Sequence, residues 1–374
     1  MKILVVGPQL PDSFARNVGV TLERMGHAVA GVQGTRLRHH GRRLPNLFWG
    51  YVPKAFPALE RKLFTEIIRA AEAVQPDLAL VTYGGLSPEV VSRLRAACGG
   101  KVVCWYTDPV SNVYRHYLLA SHFDAVFVKE PFLVRVLRDK LGQNAFYLPE
   151  CCNPDWHHRL DLDDGDRRKY GCDLAAQGSL HYYRARMLEI FDGYDLKIWG
   201  HNCPAWLNSP VKKDYTHHFI AEAGKARAFQ SAKIVVNTMQ YAEIEGVNCT
   251  LFEAAGCGAF QIADWKPALP GLFEPEREIV TFTTRRELKE KVDYYLAHPE
   301  ERRAIADRAY ARAHREHTYE LRLKKMFEIL GLAPASDRAA LLRKKDVAPI
   351  RHGRAGIDED ACVALRAGRD LETG

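Results

Sequence analysis

No run of 18 apolar residues occurs in the chain, so no helix is expected to span a bilayer. Cys-x-x-Cys pairs are also missing. The nine cysteines (98, 104, 151, 152, 172, 203, 249, 257 and 362) repeat no zinc-ligand spacing, and His217-His218 has no partner ligands at metal spacing. A reduced, cytoplasmic setting without a metal site follows, with Cys151-Cys152 read as ordinary small side chains. G-x-G-x-x-G is absent, which disfavours a dinucleotide-binding dehydrogenase. Charge of neither sign dominates: 53 Lys and Arg face 46 Asp and Glu, for a net charge of +7. That balance, with no nucleic-acid-binding motif, argues against DNA or RNA as partner. The opening MKILVVGP breaks at Gly7-Pro8, too early for a signal peptide.

What is present is an ordinary globular composition, 47% apolar and 26% charged over 374 residues, long enough for two domains. Short apolar runs alternate with amphipathic stretches of helical length, the pattern of α/β units with parallel sheets. Strands are predicted at 2–7, 28–33, 77–83, 101–106, 124–128 and 145–148, with helices at 13–25, 58–74, 87–97 and 131–140. Together they make one doubly wound unit over 1–150. A second series runs over 172–332, with strands at 172–177, 195–200, 233–237, 259–263 and 278–282. Its helices fall at 183–192, 222–230, 249–257, 286–297, 299–316 and 318–330. Between the units, 151–171 shows neither periodicity and is expected to be an interdomain connection, while 333–374 loses apolar periodicity and is expected to be a loosely held tail.

The most informative stretch is Glu245-Gly-Val-Asn-Cys-Thr-Leu-Phe-Glu253, followed by Ala-Ala-Gly-Cys-Gly258. Asn248 suits the cap of a short helix whose first N–H groups, around Cys249, Thr250 and Leu251, would form an anion site. Glu253 falls one turn inside, where a carboxylate can accept two ribose hydroxyls, and Glu245 with Gly246 precedes the cap. On spacing alone, a solvated helix residue and a loop charge are the better explanation of these two glutamates.

These residues carry a resemblance. The E-x7-E spacing and the Phe-Glu-Ala-Ala-Gly-Cys-Gly block look like the donor site of GT-B glycosyltransferases, especially the retaining, nucleotide-sugar-dependent family-four type. More closely, the chain resembles the CgeB-like (spore maturation protein) glycosyltransferases. The likeness extends through Asp173-Leu-Ala-Ala-Gln-Gly-Ser179 with Arg184, Leu196-Lys-Ile-Trp-Gly200, Ala232-Lys-Ile-Val-Val-Asn237, Leu272-Phe-Glu, Tyr294-Tyr-Leu-Ala-His-Pro and Glu316-His-Thr-Tyr319. It covers about 172–322. In 1–150 it is limited to the Gly7 loop and Trp105-Tyr-Thr-Asp-Pro109. One departure stands out: CgeB-like sequences commonly have Arg where this chain has Thr250, which shifts diphosphate binding to Arg184.

The resemblance implies two Rossmann-like domains facing a cleft, with an acceptor on the first and a nucleotide-sugar donor, such as a UDP-sugar, on the second. No cofactor and no obligatory metal are implied. Donor contacts would be Gly178, Ser179, Arg184, Trp199 (equally a core aromatic), His201, Gly246, Asn248, Cys249, Thr250, Leu251 and Glu253, with Glu245 and Asp108 in catalytic roles. Asp108 follows a strand, on the edge where open α/β sheets bind ligands. Acceptor contacts would come from Gly7, from Asp12 (equally a helix cap, as is Ser13), and from Arg36, Arg38, Arg42 and Arg43. These arginines lie in 36–56 beside Trp49 and Tyr51, a composition suited to a glycan, lipid-linked or small-molecule acceptor and to peripheral membrane contact. Two rivals stand: a GT-B-shaped nucleotide-sugar 2-epimerase, and a non-catalytic nucleotide-sugar-binding partner.

Overall fold

Leu78–Val81 is buried at every residue and Val102–Tyr106 likewise, a pattern that leaves no strand face for water and requires helices on both sides of the sheet. The computed structural model describes residues 1–33, 57–115, 117–200 and 203–332. Within them the first sheet holds β1 (Lys2–Val6), β2 (Ala28–Val32), β3 (Leu78–Val81), β4 (Lys101–Tyr106), β5 (Ala125–Val128) and β6 (Ala145–Tyr147). All pair in parallel, in the order β2-β1-β3-β4-β5-β6, with Ile3 opposite both Val29 and Leu78. The second sheet holds β7 (Cys172–Gln177), β8 (Leu196–Trp199), β9 (Ala232–Asn237), β10 (Gln261–Asp264) and β11 (Val280–Phe282), ordered β11-β10-β9-β7-β8.

Both sheets reverse their winding between the first strand and the third. At such a switch point the loops leaving the carboxyl ends diverge and open a crevice. Those loops are residues 7–13 after β1, 178–181 after β7 and 238–248 after β9.

Helices start where capping side chains stand. Ser13 accepts from Arg16 N–H to start α1 (Phe14–Arg24), and Ser87, followed by Pro88, starts α3 (Pro88–Ala97) after the long α2 (Pro57–Val74). The segment α4 (Pro131–Arg135) continues as a π turn over Val136–Lys140. In the second domain, α6 (Tyr182–Leu188) tightens into a 3-10 turn at Glu189–Phe191. The α-helices that follow it are α7 (Ala223–Ser231), α8 (Cys249–Gly256), α9 (Arg285–Ala297), α10 (Pro299–Glu316) and α11 (Tyr319–Leu330).

One expectation is corrected. The connection 151–171 contains a helix, α5 (Asp164–Tyr170), capped by Asp163 onto Asp166 N–H, with acids in its first turn and Arg167, Arg168 and Lys169 in its last. Its charges match the helix dipole, but only Tyr170 is buried, so no apolar stripe marks it in the sequence.

The chain then returns. Cys152 N–H donates to His317 O (2.9 Å) and Tyr319 N–H to Cys152 O (3.2 Å), tying the outgoing connection to the start of α11. From there α11 leaves the second domain and lies on α1, with Tyr319 against Phe14 (5.7 Å) and Phe327 against His27 (5.4 Å). Cys151 and Cys152 are fully buried free thiols at this crossing.

Candidate active site in the interdomain cleft

Two loops of the second sheet meet on one guanidinium. Arg184, in the first turn of α6, donates from Nη1 to Ser179 O (2.5 Å) and from Nε and Nη2 to Thr238 Oγ1 and O (3.3 and 3.4 Å). It thus spans the switch point between β7 and β9. Burial lowers its pKa to about 10, which leaves it charged at neutral pH. Gly178 sits at the same edge, its N–H on Trp199 O (2.8 Å).

Asn248 caps α8 as its position predicts. Its Oδ1 accepts from Leu251 N–H (3.2 Å) while its amide pairs with Asn237 at the end of β9 (3.1 and 2.8 Å), so the cap is held from two sides. Two of the expected donor contacts are corrected here. The Leu251 N–H is taken by Asn248 and its side chain is fully buried, leaving Cys249 and Thr250 as the N–H groups at the open helix end. Trp199 is a core residue, 4% exposed and packed on Tyr170 at 5.6 Å.

Glu253 is not solvated. Its Oε1 accepts from Lys225 Nζ (2.8 Å), and Lys225 also contacts Asp12, which belongs to the first domain. All three side chains are less than 8% exposed, and His157 completes the group, 3.7 Å from Asp12 and 4.0 Å from Glu253. Burial raises the Glu253 pKa against the pull of Lys225. At Asp12 burial is outweighed chiefly by the Lys225 ammonium, helped by the hydrogen bond from Asn17, and its pKa falls. His157 is pushed down to about 3, by burial first and Lys225 second, and is neutral. One carboxylate oxygen each from Asp12 and Glu253 and a ring nitrogen of His157 lie within 4.8 Å of one another. Such a set resembles metal ligands, but the Lys225 ammonium already bonds both carboxylates and is the cation of this cluster.

Asp12 is therefore not the helix cap, a role Ser13 fills. Its backbone has a positive φ of 56°, and its side chain bonds a helix side chain instead of the helix N–H groups, accepting from Asn17 Nδ2 on α1 (3.2 Å). Gly7, expected at the acceptor, is a packing residue: a Cβ there would lie 2.0 Å from Thr82 Oγ1. Asp108 is exposed beyond β4. His201 and the arginines 36, 38, 42 and 43 lie outside the described residues.

A second contact between the domains surrounds Glu245. Arg135 donates from Nη1 to Oε2 (2.8 Å) and from Nη2 to Oε1 (2.5 Å). Glu130, which also caps α4, accepts the backbone N–H groups of Ile244, Glu245 and Gly246 at 2.9–3.0 Å. Lys129 bonds Glu243 (2.8 Å) and Glu150 (3.2 Å) with every partner buried. Gly246 is required there, because a Cβ would lie 2.4 Å from Lys129 O. Burial, opposed by Lys129, pushes the Glu150 carboxyl up to about 7.

Lys129, Glu130, Arg135 and Lys225 carry these contacts and were not singled out by their sequence pattern. Nor were the rings at the same sheet edge, exposed Tyr182 tilted against exposed Trp206 (5.1 Å) and half-buried Tyr183 near exposed Tyr241 (6.0 Å). A cavity of about 800 Å³ lies elsewhere, at the amino ends of β9 and β10 between Arg159, Lys233, Gly258 and Arg302, opposite the edge that carries these residues.

Comparison with known proteins agrees with this architecture. The family described as "Glycosyl transferase-like" matches residues 182–328. Spore protein CgeB of Bacillus subtilis (strain 168) is 24% identical over 263 residues, covering 66% of this chain and 80% of that protein. Among solved structures, sucrose-phosphate synthase from Thermosynechococcus elongatus superposes with a TM-score of 0.62 at 14% identity, over 91% of this chain and 99% of that one. Anabaena HepE in complex with UDP-glucose gives 0.60 at 12% identity, over 89% and 100%. The structural likenesses show the two-domain GT-B fold. Within that fold the chain carries a glycosyl transferase-like domain over residues 182–328 and is similar to CgeB.

Proposed function

We propose that the protein moves a sugar from a nucleoside-diphosphate donor on the second domain to an acceptor on the first, with retention of anomeric configuration and without an obligatory metal. The observation that carries this reading is the pair Glu245 and Glu253. Both glutamates of the E-x7-E spacing lie at the carboxyl edge of the second sheet, and both meet the opposite domain, Glu245 through Arg135 and Glu253 through Lys225 and Asp12. Glu253 is the ribose contact and Glu245 the contact to the transferred sugar. HepE, of the same fold, is described in complex with UDP and with UDP-glucose, which supports a UDP-sugar as donor.

Departure of the diphosphate concentrates negative charge, and the groups placed to receive it are the first N–H groups of α8 and the Arg184 guanidinium. Ser179 and Thr238 hold that guanidinium at the switch point before any ligand arrives, so little reorganisation is needed. Thr250, the departure from the CgeB-like pattern, leaves Arg184 as the main cation for this task. The acceptor is a glycan, a lipid-linked sugar or a small molecule, approached through residues 36–56. Screening UDP-, GDP- and ADP-sugars for thermal stabilisation, then assaying transfer, tests the reading. A donor that raises the melting temperature and is consumed only with acceptor supports it. Conversion of the donor to its epimer without acceptor overturns it, and so does binding without turnover.

A further inference from the structure

Lys225 and Asp12 play no part in the reaction as described, yet they fix one of its principal carboxylates. Lys225 stands on α7 of the second domain and Asp12 on the first loop of the first domain, and no side chain of the three is more than 7% exposed. Glu253 uses Oε1 for Lys225, while its Oε2 is buried with no nitrogen or oxygen donor in reach and the Cys249 thiol, a weak donor, is the other side chain that bonds the carboxylate. A carboxylate oxygen so poorly served in such a place is costly, and a ligand hydroxyl would relieve the cost.

We propose that Lys225 is a positioning residue for the ribose site. It holds Glu253 in one rotamer with Oε2 turned to the ligand, and it takes its own orientation from Asp12 across the cleft. The inference rests on the reading of Glu253 as the ribose contact. Two consequences follow. The site that recognises the ribose is complete only when the domains are together, since one of its three members belongs to the first domain. Recognition of the ribose hydroxyls also depends on a residue that touches no hydroxyl itself.

The experiment compares a ribonucleoside diphosphate with its 2′-deoxy form by calorimetry on the full chain. UDP is used first, or whichever of UDP, ADP and GDP binds. The wild type is expected to prefer the ribo form by tenfold or more. Lys225→Met is expected to reduce that preference below about threefold, and Lys225→Arg to restore most of it, while Asp12→Asn gives an intermediate preference. A merely structural role for Lys225 would weaken both ligands equally and leave the ratio unchanged, which would overturn the proposal. A wild type that does not distinguish the two ligands would instead overturn the ribose reading of Glu253, so the two failures are separable. Should Lys225→Met not fold, Lys225→Gln and Asp12→Asn carry the same ratio test, and an unchanged ratio in both sinks the proposal.

Discussion

Arg135 and Glu245 form a two-point pair across the cleft, their side chains 51% and 24% exposed. At that exposure the pair contributes little to stability, about 0–1 kcal/mol. Arg135→Ala is therefore expected to leave the melting temperature nearly unchanged. Glu245→Gln keeps the shape of the side chain and removes its charge. In the proposed role it should lower kcat for transfer at least tenfold while nucleoside-diphosphate affinity stays within about twofold. Steady-state kinetics with calorimetry on each variant checks both halves.

Lys129 poses the opposite case. It serves two buried carboxylates, Glu150 and Glu243, and removing it leaves both without a cation. Lys129→Met should cost about 3–5 kcal/mol in urea unfolding. Adding Glu150→Gln and Glu243→Gln to that variant should recover a large part of the loss. No recovery would show that the lysine acts by packing and not by charge.

The buried histidines set the acid response. His157 is held down at about 3 and His317 at about 4, both mainly by burial. Both titrate in the unfolded chain near the ordinary value of about 6.5. As pH falls below 6.5 the unfolded state takes up these protons first, so stability is full above that pH and declines towards 4. Glu150 acts in the other direction. With its folded pKa raised to about 7, its contribution is present below the ordinary carboxyl range and is lost as pH rises through 7. Glu253, also raised by burial, sides with Glu150, while His27 and His181, also lowered by burial, side with His157 and His317. Four histidines against two glutamates leave a net decline on acidification between about 6.5 and 4.5. Urea unfolding across this range should show it, and His157→Gln should flatten the slope by about one proton.

Stereochemistry gives a direct reading of the chemistry. NMR of the product should show the donor's anomeric configuration retained. An inverted product would call for a base to take the acceptor proton and would move that role to Asp108, exposed at the end of β4.

The basic segment 36–56 is open to a simple electrostatic test. Changing Arg36, Arg38, Arg42 and Arg43 together to Gln should reduce liposome flotation on anionic vesicles and its salt sensitivity, yet leave donor affinity unchanged. Unchanged flotation would remove the membrane contact from the reading, and a collapse of donor affinity would place the segment at the donor.

How far the sequence could be read depended on the range of the interaction. Strands such as KVVCWY announce themselves because six neighbouring residues settle them, and the Asn248 cap is three residues from the N–H it binds. Helix Asp164–Tyr170 escaped because it buries one side chain and is stabilised by charge order, which resembles a loop. Trp199 shows the limit of strand-end logic: the backbone reaches the cleft, but the alternating side chain points into the core. The interdomain contacts were beyond reach for another reason. Lys129 and Glu243 are 114 residues apart, and a lysine on a short polar element reads as solvated until the fold buries it.

The crossing of the two connections at Cys152 and Thr318 has a mechanical consequence. Two separate strands of chain pass between the domains, and backbone hydrogen bonds fasten them side by side. A single tether would let the domains twist, slide and tumble. Two tethers joined at one point behave like the pin of a door, and the motion left to them is rotation about that line. Asp12 lies close to that line, joined through Asn17 to Asn153 beside Cys152, so a given angle of opening displaces its contact with Lys225 less than it displaces groups farther from the crossing.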